Sequence, residues 1–128
     1  MKRFLGIDYG VKKIGLAVGD DEMRIAFARP ALLDVDDQRA AIMILCAAEE
    51  IHDVVIGLPQ STDGTESEQT VLAKEFITSL SPDLTVHLVD ERFSTQGVQR
   101  QQQHRKLERG QEDSLVAQAL LQSFLDSQ

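Results

Sequence analysis

The chain has a single cysteine, Cys46, so a disulfide within it is impossible. Cys46 lies in the apolar stretch AAIMILCAA, residues 40–48, and reads as a small buried hydrophobe; a reactive thiol needs a basic, exposed setting. A reducing cytoplasm is the compartment this implies. Long apolar runs are missing as well. The first ten residues, MKRFLGIDYG, carry two basic residues, but Asp8 interrupts the short apolar run after them, so no signal peptide is expected there. No stretch has the length of a membrane span, and no membrane is expected as a partner. Positive charge is scarce: 13 Lys and Arg stand against 21 Asp and Glu, a net charge of −8. That balance argues against generic, charge-driven binding to nucleic acid and leaves a local basic patch or metal ions to do the holding. Repeats and dividing linkers are absent, and 128 residues predict one domain over 1–128.

With 42% hydrophobic residues the chain can bury a core. Short apolar runs predict strands over Phe4–Tyr9, Ile14–Val18 and Ile25–Ala28, the last ended near Pro30. Asp36 and Asp37 are candidate helix caps, and Ala41, Ile44, Leu45, Ala48 and Ile51 follow at helical spacing. Val54–Leu58 is wholly apolar, as buried parallel strands are. After a loop over Pro59–Thr65 come a helix with Leu72, Phe76 and Leu80 on one face and a strand over Thr85–Val89. A weaker helix is predicted over Phe93–Gln103, and a polar, mobile segment over Gln101–Gln111. A final helix opens at Asp113, with Val116, Ala119, Leu120 and Phe124 on its apolar face. Right-handed crossovers then give an α/β fold with a five-stranded mixed sheet of order 3-2-1-4-5 and helices on both faces.

Three carboxylate positions gather at one end of such a sheet, where ligands of α/β folds collect. Asp8 is a charge ending an apolar strand, and a buried carboxylate is costly unless paired or bound to metal. Taken alone, a turn cap explains it equally well. Asp90 and Glu91 follow the last strand, and since strand neighbours point to opposite faces, one of the two should reach Asp8. Asp113 begins a helix at the head of its core-facing stripe, where an acid is also a common cap. Each is weak alone. Together they make an all-oxygen site suited to Mg2+ or Mn2+, and two such ions about 4 Å apart can cleave a phosphodiester by activating water and stabilising the leaving oxygen. Lys12, Lys13, Arg92, Arg100, Arg105, Lys106 and Arg109 fall around the same mouth and form a candidate rim for phosphates. His52, His87 and His104 show no ligand spacing and read as structural or surface residues.

Four segments resemble the YqgF/RuvX family of pre-16S rRNA nucleases and Holliday junction resolvases: GIDYGVKKIGLAVGD (6–20), VVIGLPQSTDGTE (54–66), DERFST (90–95) and EDSLVAQALLQSFL (112–125). The matches span nearly the whole chain in the family's order. The resemblance implies a ribonuclease H-like fold and catalytic, metal-binding roles for Asp8, Glu91 (Asp90 being the alternative) and Asp113. It implies a cytoplasmic nuclease that matures the 5′ end of 16S rRNA in the ribosome precursor, or else one that resolves branched DNA, acting as a monomer or weak dimer. The chain departs from the family's pattern at Val11, where Thr is usual, at Gln60-Ser61-Thr62, and at Gln111-Glu112, where a Lys-Ile or Lys-Val pair often precedes the last Asp. Two competing readings are a non-catalytic nucleic-acid-binding module, which the acidic charge favours, and an ATP-binding lobe of the actin–hexokinase type, which one short chain cannot complete.

Overall fold

Phe4, Leu5, Gly6 and Ile7 offer apolar or small residues to both faces of a strand, and such a strand is stable only in the middle of a sheet covered on both sides. The computed structural model places it there. It describes residues 1–10, 12–58, 68–80, 83–90 and 110–128, with the backbone alone described for Leu58, Gln69 and Asp90. The strands are β1 (Arg3–Asp8), β2 (Lys13–Asp20), β3 (Phe27–Leu33), β4 (Asp53–Leu58) and β5 (Thr85–Asp90). The described helices are α1 (Gln38–Ala48), α2 (Glu68–Leu80) and α3 (Gln111–Asp126). The sheet order is β3-β2-β1-β4-β5, as the sequence implies. β2 runs antiparallel to β1 and to β3, while β4 runs parallel to β1 and β5 parallel to β4.

Strand alternation divides the core in two. Leu5, Ile7, Ile14, Leu16, Val54 and Ile56 pack against Ile42 and Cys46 of α1 and Phe76 and Leu80 of α2. Phe4, Ala17 and Val55 pack on the other face against Ala117, Leu121 and Leu125 of α3. That face is built from small residues where α3 crosses it. A β-carbon added at Gly6 would stand 2.8 Å from the Leu121 Cβ and 2.9 Å from the Ala117 carbonyl, so the helix lies almost on the strand backbone. Two glutamines of α3 fasten it to the chain ahead of β3. Gln118 donates to the Ala26 carbonyl at 2.9 Å, and the Gln122 amide oxygen accepts from the Ala26 N–H at 2.9 Å.

The structure corrects three details of the sequence reading. β3 does not end at Pro30 but runs on to Leu33. Ile14 pairs with Leu32 and Leu16 with Arg29, so β3 spends an extra residue opposite Gly15 and forms a bulge around Pro30 and Ala31. A bulge on an edge strand tolerates the missing proline N–H. In α1 the buried residues are Ile42 and Cys46, and Ile44 is 70% exposed. This stretch is apolar on all sides, so periodicity does not fix which side turns inward. The last helix begins at Gln111 rather than at Asp113, with Gly110 as its cap. The loop over Pro59–Thr65 and the helix over Phe93–Gln103 lie outside the described residues, as does all but Gly110 and Gln111 of the polar segment.

Candidate active site

Asp8 is the last residue of β1. Alternation puts it on the face of Phe4 and Gly6, which is the face α3 covers. It is half-buried, and its direct partner across the β1–β2 ladder is Gly15. Residues directly opposite one another in such a ladder point to the same side. Gly15 has no side chain to send there, and the backbone of Asp113 fills the space instead: a β-carbon at residue 15 would fall on the Asp113 carbonyl. The first turn of α3 is therefore set down beside the end of β1, bringing Asp8 and Asp113 to one corner of the fold.

Several contacts hold that turn in place. The buried Ser114 hydroxyl accepts a hydrogen bond from the Leu16 N–H at 3.4 Å, where the β2–β3 register shifts. Gly110 takes the cap position with φ 83°, and no side chain caps the helix. A β-carbon there would stand 2.9 Å from Leu33 Cδ2 and 3.1 Å from Ala31 Cβ. Both the backbone angle and the packing thus demand glycine.

Asp113 is not the N-cap that its position suggests; it is the third residue of the helix. Its Oδ2 lies 3.8 Å from the Nζ of Lys13, two residues before Gly15 on the same face of β2. Burial pushes the Asp113 carboxyl above its ordinary pKa; Lys13 draws it down, and neighbouring Glu112 pushes it up again. A carboxylate held partly out of water, its ionisation opposed by burial, is the kind of group that gains from a cation.

The other expected site residues divide as follows. Lys12 is exposed, next to Lys13. Backbone register sets Asp90, the end of β5, against Leu58, the end of β4, so these strands and β1 finish at the same end of the sheet. Glu91, Arg92, Arg100, Arg105, Lys106 and Arg109 lie outside the described residues. Among the described residues no group of three or more His, Cys, Asp or Glu stands together to hold a metal ion. His52 is exposed, and His87 hydrogen-bonds at 3.0 Å to the buried Asp53. His104 falls outside the described residues. Sequence reasoning missed Gly15, Gly110 and Ser114. An isolated glycine within a strand pattern is a known sign of a bulge or a close backbone approach, and at Gly15 both occur.

A family model described as "RuvX: Holliday junction resolvase" matches residues 2–127. A protein of Endomicrobium trichonymphae named "Putative pre-16S rRNA nuclease" is 33% identical over 137 residues, covering 100% of this chain and 98% of its own. One of the same name from Anaeromyxobacter dehalogenans is 37% identical over 133 residues, covering 97% and 96%. Among solved structures, T. thermophilus RuvC in complex with a Holliday junction substrate superposes with a TM-score of 0.64 at 12% identity, covering 99% of this chain and 96% of its own. The fowlpox virus Holliday junction resolvase gives 0.58 at 12% identity, covering 98% and 99%. The fold is ribonuclease H-like.

Proposed function

Because the chain belongs to the RuvX family, we propose that it is a metal-dependent nuclease that trims the 5′ end of precursor 16S rRNA during ribosome assembly in the cytoplasm. The observation that carries this reading is the placement of Asp113 against Gly15, the cross-strand partner of Asp8. That placement sets the turn of α3 that carries Asp113 beside the end of β1 that carries Asp8, at the sheet end where α/β folds bind their ligands. Asp8, Asp113 and Glu91 are the proposed metal ligands and catalytic residues, all within one domain over 1–128.

The donors are carboxylate oxygens, which suit a hard divalent cation, Mg2+ or Mn2+. When bound there, such an ion supplies counter-charge and lowers the pKa of water. Asp8 ends β1 and Asp113 stands in the pinned first turn of α3, so both ligands would be carried by regular elements and little ordering would be left to do when substrate arrives. Lys12, Arg92, Arg105, Lys106 and Arg109 are proposed to hold the RNA phosphates. With a net charge of −8 the chain gains little from long-range attraction, so substrate binding should depend on the metal as well as on this rim.

The test is cleavage of an RNA spanning the precursor 5′ end by highly purified protein, with Mn2+ or Mg2+ and with a chelator. Cleavage that needs the ion supports the nuclease. RNA binding without cleavage, indifferent to chelator, supports a binding module instead. The family's description favours a second substrate, the DNA four-way junction. Cutting two strands symmetrically needs a dimer. A junction substrate in the same assay, with a solution mass measurement, separates that reading from a monomer or weak dimer acting on RNA. Among the described residues no helix is long and apolar enough to cross a membrane.

A further inference from the structure

Lys13 is expected from the sequence to grip phosphate, yet its ammonium group lies 3.8 Å from the Oδ2 of Asp113. The geometry points to a different role. Lys13 is the resident counter-cation of the carboxylate corner, positioning Asp113 when no metal ion is present and giving it up when one arrives. This inference rests on the reading of Asp8 and Asp113 as metal ligands.

The reasons lie in what surrounds the corner. The first turn of α3 carries Glu112 and Asp113. Its cap, Gly110, brings no side chain. Asp113 is held within this turn by the close contact of its backbone with Gly15, so it cannot move away to relieve the like charge of neighbouring Glu112. Like charges forced together need an opposite charge close by. Lys13 is placed to supply it from the adjacent strand, since it shares the α3 face with Gly15 and its side chain is 49% exposed against 24% for Asp113. A flexible, half-exposed ammonium can leave at small cost. It cannot stay at full strength beside an oxygen that also coordinates a divalent ion, because the two cations repel each other. Metal binding therefore competes with the Lys13–Asp113 pair.

The test uses the full chain with Lys13→Gln, Lys13→Arg, Asp113→Asn and the Lys13→Gln/Asp113→Asn double variant. Lys13 stands half-exposed at the start of a strand, so each variant should fold. Mn2+ affinity is read by calorimetry, and metal-free melting temperature in chelator. Lys13→Gln should bind Mn2+ about five-fold more tightly, the size of one partly screened charge interaction, with Lys13→Arg close to wild type. In chelator, Lys13→Gln should lower the melting temperature by about 3 °C in the wild-type background and hardly at all in the Asp113→Asn background. Unchanged or weaker Mn2+ binding by Lys13→Gln would overturn the displacement. Equal melting shifts in both backgrounds would overturn the pairing itself, whatever the metal does. If wild-type protein binds no Mn2+, the metal-site reading fails, and the displacement with it, while the melting experiment still decides the pairing. A raised KM in Lys13→Gln with neither effect would return Lys13 to holding phosphate.

Discussion

Gly15 gives its side-chain space to the backbone of Asp113. Since Gly15 is also the ladder partner of Asp8, this one close approach joins a carboxylate near the start of the chain to another near its end. A side chain at position 15 has nowhere to go: β1 and β3 flank it in the sheet, and α3 lies on top. Gly15→Val should cost about 1–3 kcal/mol of stability, the usual size of an overpacked contact. It should also lower metal-dependent cleavage by protein that is still folded, because α3 must lift Asp113 away from Asp8. Urea unfolding together with cleavage rates measured well below the unfolding midpoint checks both effects.

Gly110 is needed for a different reason. Its φ of 83° lies in the left-handed region, and Leu33 stands where its side chain would begin. Gly110→Ala should destabilise by about 1–2 kcal/mol from the backbone alone, with the contact to Leu33 added. A denaturant midpoint shift with an unchanged slope would show the loss to be one of native-state stability.

The sheet order was legible in the sequence because it follows from a few strong signals: a wholly apolar Val54–Leu58, helical patterns on either side of it, and the handedness of crossovers. The inward side of α1 was not legible, because Ile42, Ile44 and Leu45 are all apolar and only packing against the sheet selects Ile42. β3 reads short because Pro30 normally ends a strand; the bulge that accommodates it is a property of the pairing with β2. Asp8 and Asp113 stand out as charges at element ends. What brings them together is a glycine, and the close approach it permits depends on where α3 lands, which no local pattern records.

Asp113 should make the metal-free protein less stable at neutral pH. Burial is the largest influence on its carboxyl and raises the pKa above the unfolded value. An acid of this kind costs nothing below its unfolded pKa, costs increasingly as pH rises towards the folded value, and costs the full amount above it. In chelator, Asp113→Asn should therefore melt higher than wild type at pH 7, and the advantage should vanish below about pH 4. A variant that melts lower than wild type at every pH would contradict this.

Cys46 should be chemically silent in the native protein. It is 2% exposed, and burial, with Glu49 nearby, pushes its thiol pKa to about 11. A thiol reagent at pH 7.5 should label it fully in guanidinium chloride and hardly at all in buffer.

The most direct measurement is of Asp8→Asn. The side chain keeps its shape at the end of β1, loses its charge and exchanges one acceptor oxygen for a donor. Cleavage of the 16S precursor fragment in Mn2+ should fall by roughly a thousand-fold or more in protein that a melting curve shows to be folded, since charge stabilisation through a metal contributes several kcal/mol. Cleavage at the wild-type rate by folded Asp8→Asn protein would show that the carboxylate corner is not the catalytic site.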